Sequence, residues 1–184
     1  MTKTEALQQY LFVAESAHRR ESPAADAVAD SFYAIYEREL SYVYKTLGRL
    51  GVDPADLADA VHDVFVIMHR RWADIDFARP IRPWLFGVSR RVAAGMRRKH
   101  REVPSLDLQS TVDASPHAER DLLWHVLAAL DDDRREVVVL HDLEGYTGAE
   151  IGELLGISPN TVHSRLRLAR EDMRAALARI RGEA

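Results

Sequence analysis

Apolar residues recur at helical spacing along almost the whole chain, and no run alternates at the strand period. That pattern restricts the fold to all-α. Phe32, Ile35, Tyr36, Val43, Leu47 and Leu50 form one stripe, which Gly51 ends. Asp53-Pro54 restarts the chain, since Asp suits an N-cap and Pro the first helical turn. Leu57, Val61, Val64, Phe65, Met68 and Trp72 then predict a helix over residues 54–72. After a loop over residues 73–82, Pro83 opens a third helix with Leu85, Val88, Val92 and Met96 facing inward. A weaker helical pattern at residues 5–18, carrying Leu7, Leu11 and Phe12, precedes these and is assigned to core packing.

The periodicity fails at residues 102–116, where EVPSLDLQSTVDASP holds two prolines and three serines. Such a composition reads as a flexible linker. Extended, its ~15 residues reach about 50 Å, so the flanking domains need not touch. Periodicity resumes with Leu122, Leu123, Val126, Leu127 and Leu130. Asp131, Asp132 and Asp133 then offer an N-terminal cap for a helix carrying Val137, Val138 and Leu140, ended by Gly145. The expected organisation is an N-terminal extension (1–27), a helical domain (28–101), a linker (102–117) and a second helical domain (118–184). No internal repeat is present, which argues against a helical-repeat scaffold.

The 184 residues include no cysteine, which excludes disulfides and thiolate zinc sites. No apolar run approaches the ~18 residues of a membrane span. The N-terminus lacks the layout of a secretion signal, so a cytoplasmic protein without membrane insertion is expected. A Gly-rich phosphate loop, a metal motif and a nucleophile–base pair are all missing, so neither an enzyme nor a cofactor is expected. The net charge of −4 hides strong segregation. Residues 77–101 contain no acid but hold Arg79, Arg82, Arg90, Arg91, Arg97, Arg98 and Lys99, whereas Asp53, Asp56, Asp59 and Asp63 cluster just upstream. Separate blocks of each sign imply two kinds of partner surface.

The sharpest motif is YTGAEIGELLGISPNTVHSRLRLARE. Thr147 can cap a short helix, with Glu150 completing a capping box. Gly156 supplies backbone freedom for a tight turn, and Ser158-Pro159 starts a second helix. On that helix Val162, Leu166 and Ala169 face one way. Ser158, Asn160, Thr161, His163, Ser164, Arg165 and Arg167 form the cap, the opposite face and its flanks. Short polar and cationic side chains at a helix N-terminus suit base edges and phosphates in the major groove. This predicts a helix-turn-helix that reads duplex DNA.

DAVHDVF (residues 59–65) and PWLFGVSRRVAAGMRRKHR (residues 83–101) together resemble the second conserved region of bacterial sigma factors. LAALDDDRREVVVLHDLEGYTGAEIGELLGISPNTVHSRLRLARE resembles their fourth. The order and the missing first and third regions resemble the extracytoplasmic-function (ECF) group. The resemblance implies a subunit that joins core RNA polymerase, through the β′ clamp and the β subunit, and directs it to promoter DNA. Asp56, Asp59, His62, Asp63 and Phe65 would dock on the β′ clamp. Arg79, Arg82, Arg90, Arg91, Arg97, Arg98 and Lys99 would engage the −10 element and aid strand opening, and the helix-turn-helix would read the −35 element. Trp84 is assigned to the core. The resemblance further implies a linker that threads toward the active-site channel and an anti-sigma factor as inhibitor. The chain departs from the family where Arg91 stands for Asn, Gly95 for Asp and His62 for Gln. The alternative is a stand-alone helix-turn-helix regulator binding operators as a dimer.

Overall fold

The structure, a computed structural model, describes residues 23–102 and 118–182. The helix expected at residues 5–18 and nearly all of the linker lie outside those residues. Among the described residues there are seven α-helices and no strand. Three of them, α1 (Pro23–Arg49), α2 (Leu57–Arg70) and α3 (Arg82–Glu102), pack against one another. Leu47, Leu50, Leu57, Met68, Leu85 and Phe86 are fully buried between them. Each such side chain contributes about 1.5–3 kcal/mol by leaving water. Tyr36 meets Phe65 edge-on with centroids 4.6 Å apart, and Trp84 lies half-buried on the same core.

The start of α2 differs from the sequence expectation. Asp53 does not cap a helix; its carboxylate accepts from the Ala55 amide (2.8 Å) and its carbonyl from the Asp56 amide (2.9 Å), closing a turn. The helix begins at Leu57 with Asp56 at the N-cap. Asp-Pro satisfies a turn as well as a first helical turn, and the turn wins because it brings Val52 and Leu57 into the core. The helix also ends at Arg70 rather than at residue 72, and Trp72 opens a short 3₁₀ turn, Trp72–Asp74, in what was expected to be helix end and loop.

The second group comprises α4 (Ala118–Ala128), α5 (Asp132–Val138), α6 (Gly148–Leu155) and α7 (Pro159–Arg181). Asp131 caps α5 by accepting from the Arg134 amide. The end of α5 widens into a π turn, Val139–Leu143, closed by a bond from the Glu144 amide to the Val139 carbonyl (3.0 Å). Gly145, at φ +79°, then reverses the chain. Val137, Leu140, Ile151, Val162, Leu166 and Ala169 form this half's buried centre.

The two halves touch. Trp124 of α4 lies over Gly48 of α1, where an added Cβ would sit 2.8 Å from its Cζ2 atom. The charged bonds between the halves are described with the site below.

Candidate nucleic-acid interface

Local chemistry builds the helix-turn-helix as expected. Thr147 accepts from the Glu150 amide, and the Glu150 carboxylate accepts from the Thr147 amide (2.8 Å), a reciprocal capping box. The Thr147 hydroxyl also donates to the Glu150 carboxylate (2.7 Å), and that bond with the one from the amide holds the Glu150 carboxyl below its ordinary range. Gly156 adopts φ +69° in the left-handed region, which ends α6. Gly152 is also required by the turn, since a Cβ there would lie 2.8 Å from the Ile157 carbonyl oxygen. Ser158 caps α7, accepting from the Thr161 amide at 3.1 Å.

The predicted reading residues of α7 divide by role. Asn160, His163, Ser164 and Arg167 are exposed at the helix N-terminus. Ser158 and Thr161 are engaged in the cap, their hydroxyls 2.8 Å apart. Arg165 is half-buried and donates to Asp133 in the first turn of α5, whereas Arg167 pairs along its own helix with Glu171 (2.7 Å). Beside this face is a cleft of about 370 Å³, with His141, His163, Arg167, Arg170 and Arg174 in its wall. Leu166 and Glu171 complete the wall, and Arg167 and Arg170 are paired with Glu171 and Asp142.

The basic segment divides more sharply. Arg91, Arg98 and Lys99 lie on the exposed face of α3. Arg90 and Arg97 point the other way, to Glu136 (3.1 Å) and Asp132 (2.9 Å) of the second half. Arg82 donates to Glu39 at 2.9 Å and lies over the Tyr42 ring. Glu39 is buried, which alone would raise its pKa; bonds from Arg38 and Arg82 outweigh burial and hold it below the usual range. Arg79 is exposed in the preceding loop, 3.4 Å from Asp76. It shares a cleft of about 610 Å³ with Trp72, Phe77 and Arg38. The two aromatic rings there are 4.6 Å apart.

The residues expected to dock lie on α2 and at its N-cap and differ in exposure. Asp59 and Asp63 are exposed, and Asp56 and His62 half-buried, on the outer side of the helix. Phe65 is a correction: at 4 % exposure against Tyr36 it is a core residue and offers no docking surface. Its position on the apolar stripe of α2 already carried that signal.

Residues 35–103 match sigma-70 region 2, and residues 120–173 match sigma-70 region 4. The ECF RNA polymerase sigma factor SigL of Mycobacterium tuberculosis is 33% identical over 171 residues, 86% of this chain and 95% of that protein. This chain belongs to the ECF sigma factors of the sigma-70 family. The RNA polymerase sigma factor CarQ of Myxococcus xanthus is 28% identical over 163 residues, covering 84% of this chain and 94% of CarQ. Among solved structures, CnrH in complex with the cytosolic domain of CnrY superposes with a TM-score of 0.60 at 25% identity, covering 91% of this chain and 96% of CnrH. As an ECF sigma factor the protein serves promoter-specific initiation of transcription by RNA polymerase, and the stand-alone regulator is not favoured.

Sequence reasoning did not single out Arg49, Arg135, Glu136 and Glu144, charged residues at the junction of the two halves of this sigma factor. Arg135 is buried and donates to the carbonyls of Leu127 (2.9 Å) and Leu130 (2.6 Å), to Asp132 (2.9 Å) and to the Leu50 carbonyl across the interface (3.3 Å). Burial and the nearby Arg97 lower its pKa. Glu136 and Glu144 are raised by burial, which Arg90 and Arg49 only partly offset. The available signal was that Arg135 and Glu136 directly precede the run VVVL, where a short helix buried all round must pair its charges.

Proposed function

We propose that this sigma factor binds core RNA polymerase through Asp56, Asp59, His62 and Asp63 of α2. It engages the −10 element through α3 and the loop before it, and reads the −35 element through α7. The observation that carries this reading is the pair of exposed cationic faces, one in each half and in the order of regions 2 and 4. At the −10 end, Arg91, Arg98 and Lys99 form the open face of α3. The cleft of Trp72, Phe77 and Arg79 offers aromatic and cationic groups suited to a base held out of the stack. At the −35 end, Asn160, His163, Ser164 and Arg167 extend from a capped helix N-terminus suited to the major groove.

The protein acts without catalysis of its own, in the cytoplasm where polymerase works. An anti-sigma factor is a further partner proposed for this chain; the sigma factor RpoE of Bartonella quintana, of the same fold, has been solved in complex with the anti-sigma factor NepR. The test is to add the purified chain to core polymerase and footprint open complexes on promoter fragments. Protection at −10 and −35 is expected only with core present. Failure to bind core, together with tight binding to a palindromic duplex by the chain alone, would overturn the reading. Reversal of Asp59 and Asp63 to Lys is expected to weaken core binding about tenfold while the unfolding midpoint stays unchanged.

A further inference from the structure

Helix α7 is braced by ion pairs along both edges of its buried line. Val162, Leu166, Ala169 and Ala176 make that line and face the core. At about 100° per residue, Arg165 and Asp172 share one edge of it, and Arg170 falls on the other. Both edges end on charges that precede the helix-turn-helix. Arg165 pairs with Asp133, and Asp172 with Arg134, both partners in the first turn of α5. Arg134 is itself held 3.1 Å from Asp131, the cap of α5. On the opposite edge Arg170 donates to Asp142 of the π turn at 2.8 Å. The same carboxylate lies 2.6 Å from the His141 Nδ1 atom. Burial alone would raise the Asp142 carboxyl, but the bonds from Arg170 and His141 hold it below its ordinary range.

Packing by itself resists rotation of α7 only weakly. Two of the four buried residues on its line are alanines, which offer little side chain to interlock with α5. The edge pairs act farther from the helix axis and so have more leverage on its roll. Roll matters because the exposed residues differ around the face. His163 and Arg167 lie toward the Arg170 edge, and Ser164 lies toward the edge of Arg165 and Asp172. A modest rotation would change which of them reaches a given base edge, and base edges carry the sequence information. We propose that Asp142 with Arg170 on one edge, and Asp133 with Arg165 and Arg134 with Asp172 on the other, are positioning residues. They set the roll of α7 and thereby the −35 bases that this sigma factor selects. This rests on the assignment of α7 to the −35 element.

The test uses the full chain with core polymerase and a promoter fragment that the wild type opens, randomised across its −35 element. Asp142→Asn and Asp172→Asn remove charge at nearly constant size, one on each edge. Each should lower discrimination against single-base changes about tenfold, the size of one good base contact. The two should relax different base pairs, because they free opposite edges. Asp142→Glu and Asp172→Glu keep the charge and should keep most of the discrimination. Unfolding midpoints should change little in all four variants, since partly exposed pairs add little to global stability. An equal loss on every −35 sequence, unchanged discrimination in the Asn variants, relaxation at the same base pairs in both, or Glu variants that behave as the Asn variants would each overturn the proposal. Failure of the underlying assignment looks different: the wild type would open every −35 sequence equally, and so would Arg167→Ala.

Discussion

Helices α3 and α7 both carry a dense set of cationic residues, yet their arginines meet different neighbours. On α7 the outward set is positioned by bonds within about ten residues of chain: the Thr147 and Ser158 caps and the Gly156 turn. On α3, Arg91 and Arg98 face outward while Arg90 and Arg97, one position earlier in each case, end on carboxylates of the other half. A shift of one position rotates a side chain about 100° around a helix. Adjacent arginines of the same chemistry therefore divide into an exposed row, the one proposed to meet DNA, and a row that holds two domains together. The lesson is that a basic helix must be resolved by face before its cations are assigned to nucleic acid.

The largest expected effect tests the structural side of that division. Arg135→Met leaves the Leu127, Leu130 and Leu50 carbonyls and Asp132 without their shared donor, and should cost about 3 kcal/mol in chemical denaturation. A loss below about 1 kcal/mol would mean that the buried guanidinium is replaceable by apolar packing. The outward row should behave in the opposite way. Replacing Arg91 and Arg98 by Ala should reduce open-complex formation about tenfold and lower its salt slope by about one per arginine, with no change in unfolding midpoint. Replacement of Arg97 should instead lower the midpoint, because it loses Asp132 and the Leu50 carbonyl.

On α7 a finer contrast separates Arg165 from Arg167. Arg167→Ala should weaken −35 footprints several-fold with stability intact, whereas Arg165→Ala should act mainly through loss of its bond to Asp133. Equal footprint losses without any change in midpoint would place both arginines on DNA.

The smallest effect is in pH dependence, where the two kinds of buried carboxylate have opposite signs. Glu136 and Glu144 hold protons more tightly in the folded chain, so their contribution to stability falls as pH rises from the ordinary 4.5 through their raised values. Glu39 is lowered, so its contribution is present above 4.5 and is lost as pH falls through its folded value. Comparing stability against pH for Glu136→Gln and Glu39→Gln should therefore remove changes of opposite slope on the acid side. Parallel profiles for the two variants would show that burial and pairing contribute equally at both sites.

These contrasts also mark what a linear reading can reach. The all-α class, the capping box at Thr147 and Glu150, and the turn at Gly156 were legible because each depends on residues a few positions apart. Asp53-Pro54 misled because the same dipeptide serves a turn and a helix start, and the choice is made by how Val52 and Leu57 enter the core. Phe65 was legible as an apolar-stripe residue but was drawn into the docking set by its motif. The partners of Arg90, Arg97 and Arg135 lie 46, 35 and 85 residues away in sequence (Glu136, Asp132 and the Leu50 carbonyl), and no local pattern names them. Arg79, Trp72 and Phe77 were separately visible, but their meeting in one cleft depends on the 3₁₀ turn between α2 and α3.

The π turn at Val139–Leu143 sets the bearing of everything that follows it. It accommodates a wider turn than the regular helix, so deleting one residue there would let α5 continue in α-helical phase. Regular winding advances about 100° per residue, so α6 and α7 would swing around the α5 axis by roughly that angle. The two surfaces proposed to read the promoter would then be registered differently on the double helix, itself periodic at about 10 base pairs. A single inserted residue thus works as a gear tooth between two screws, and its deletion is expected to change the promoter spacing that the two proposed surfaces accept.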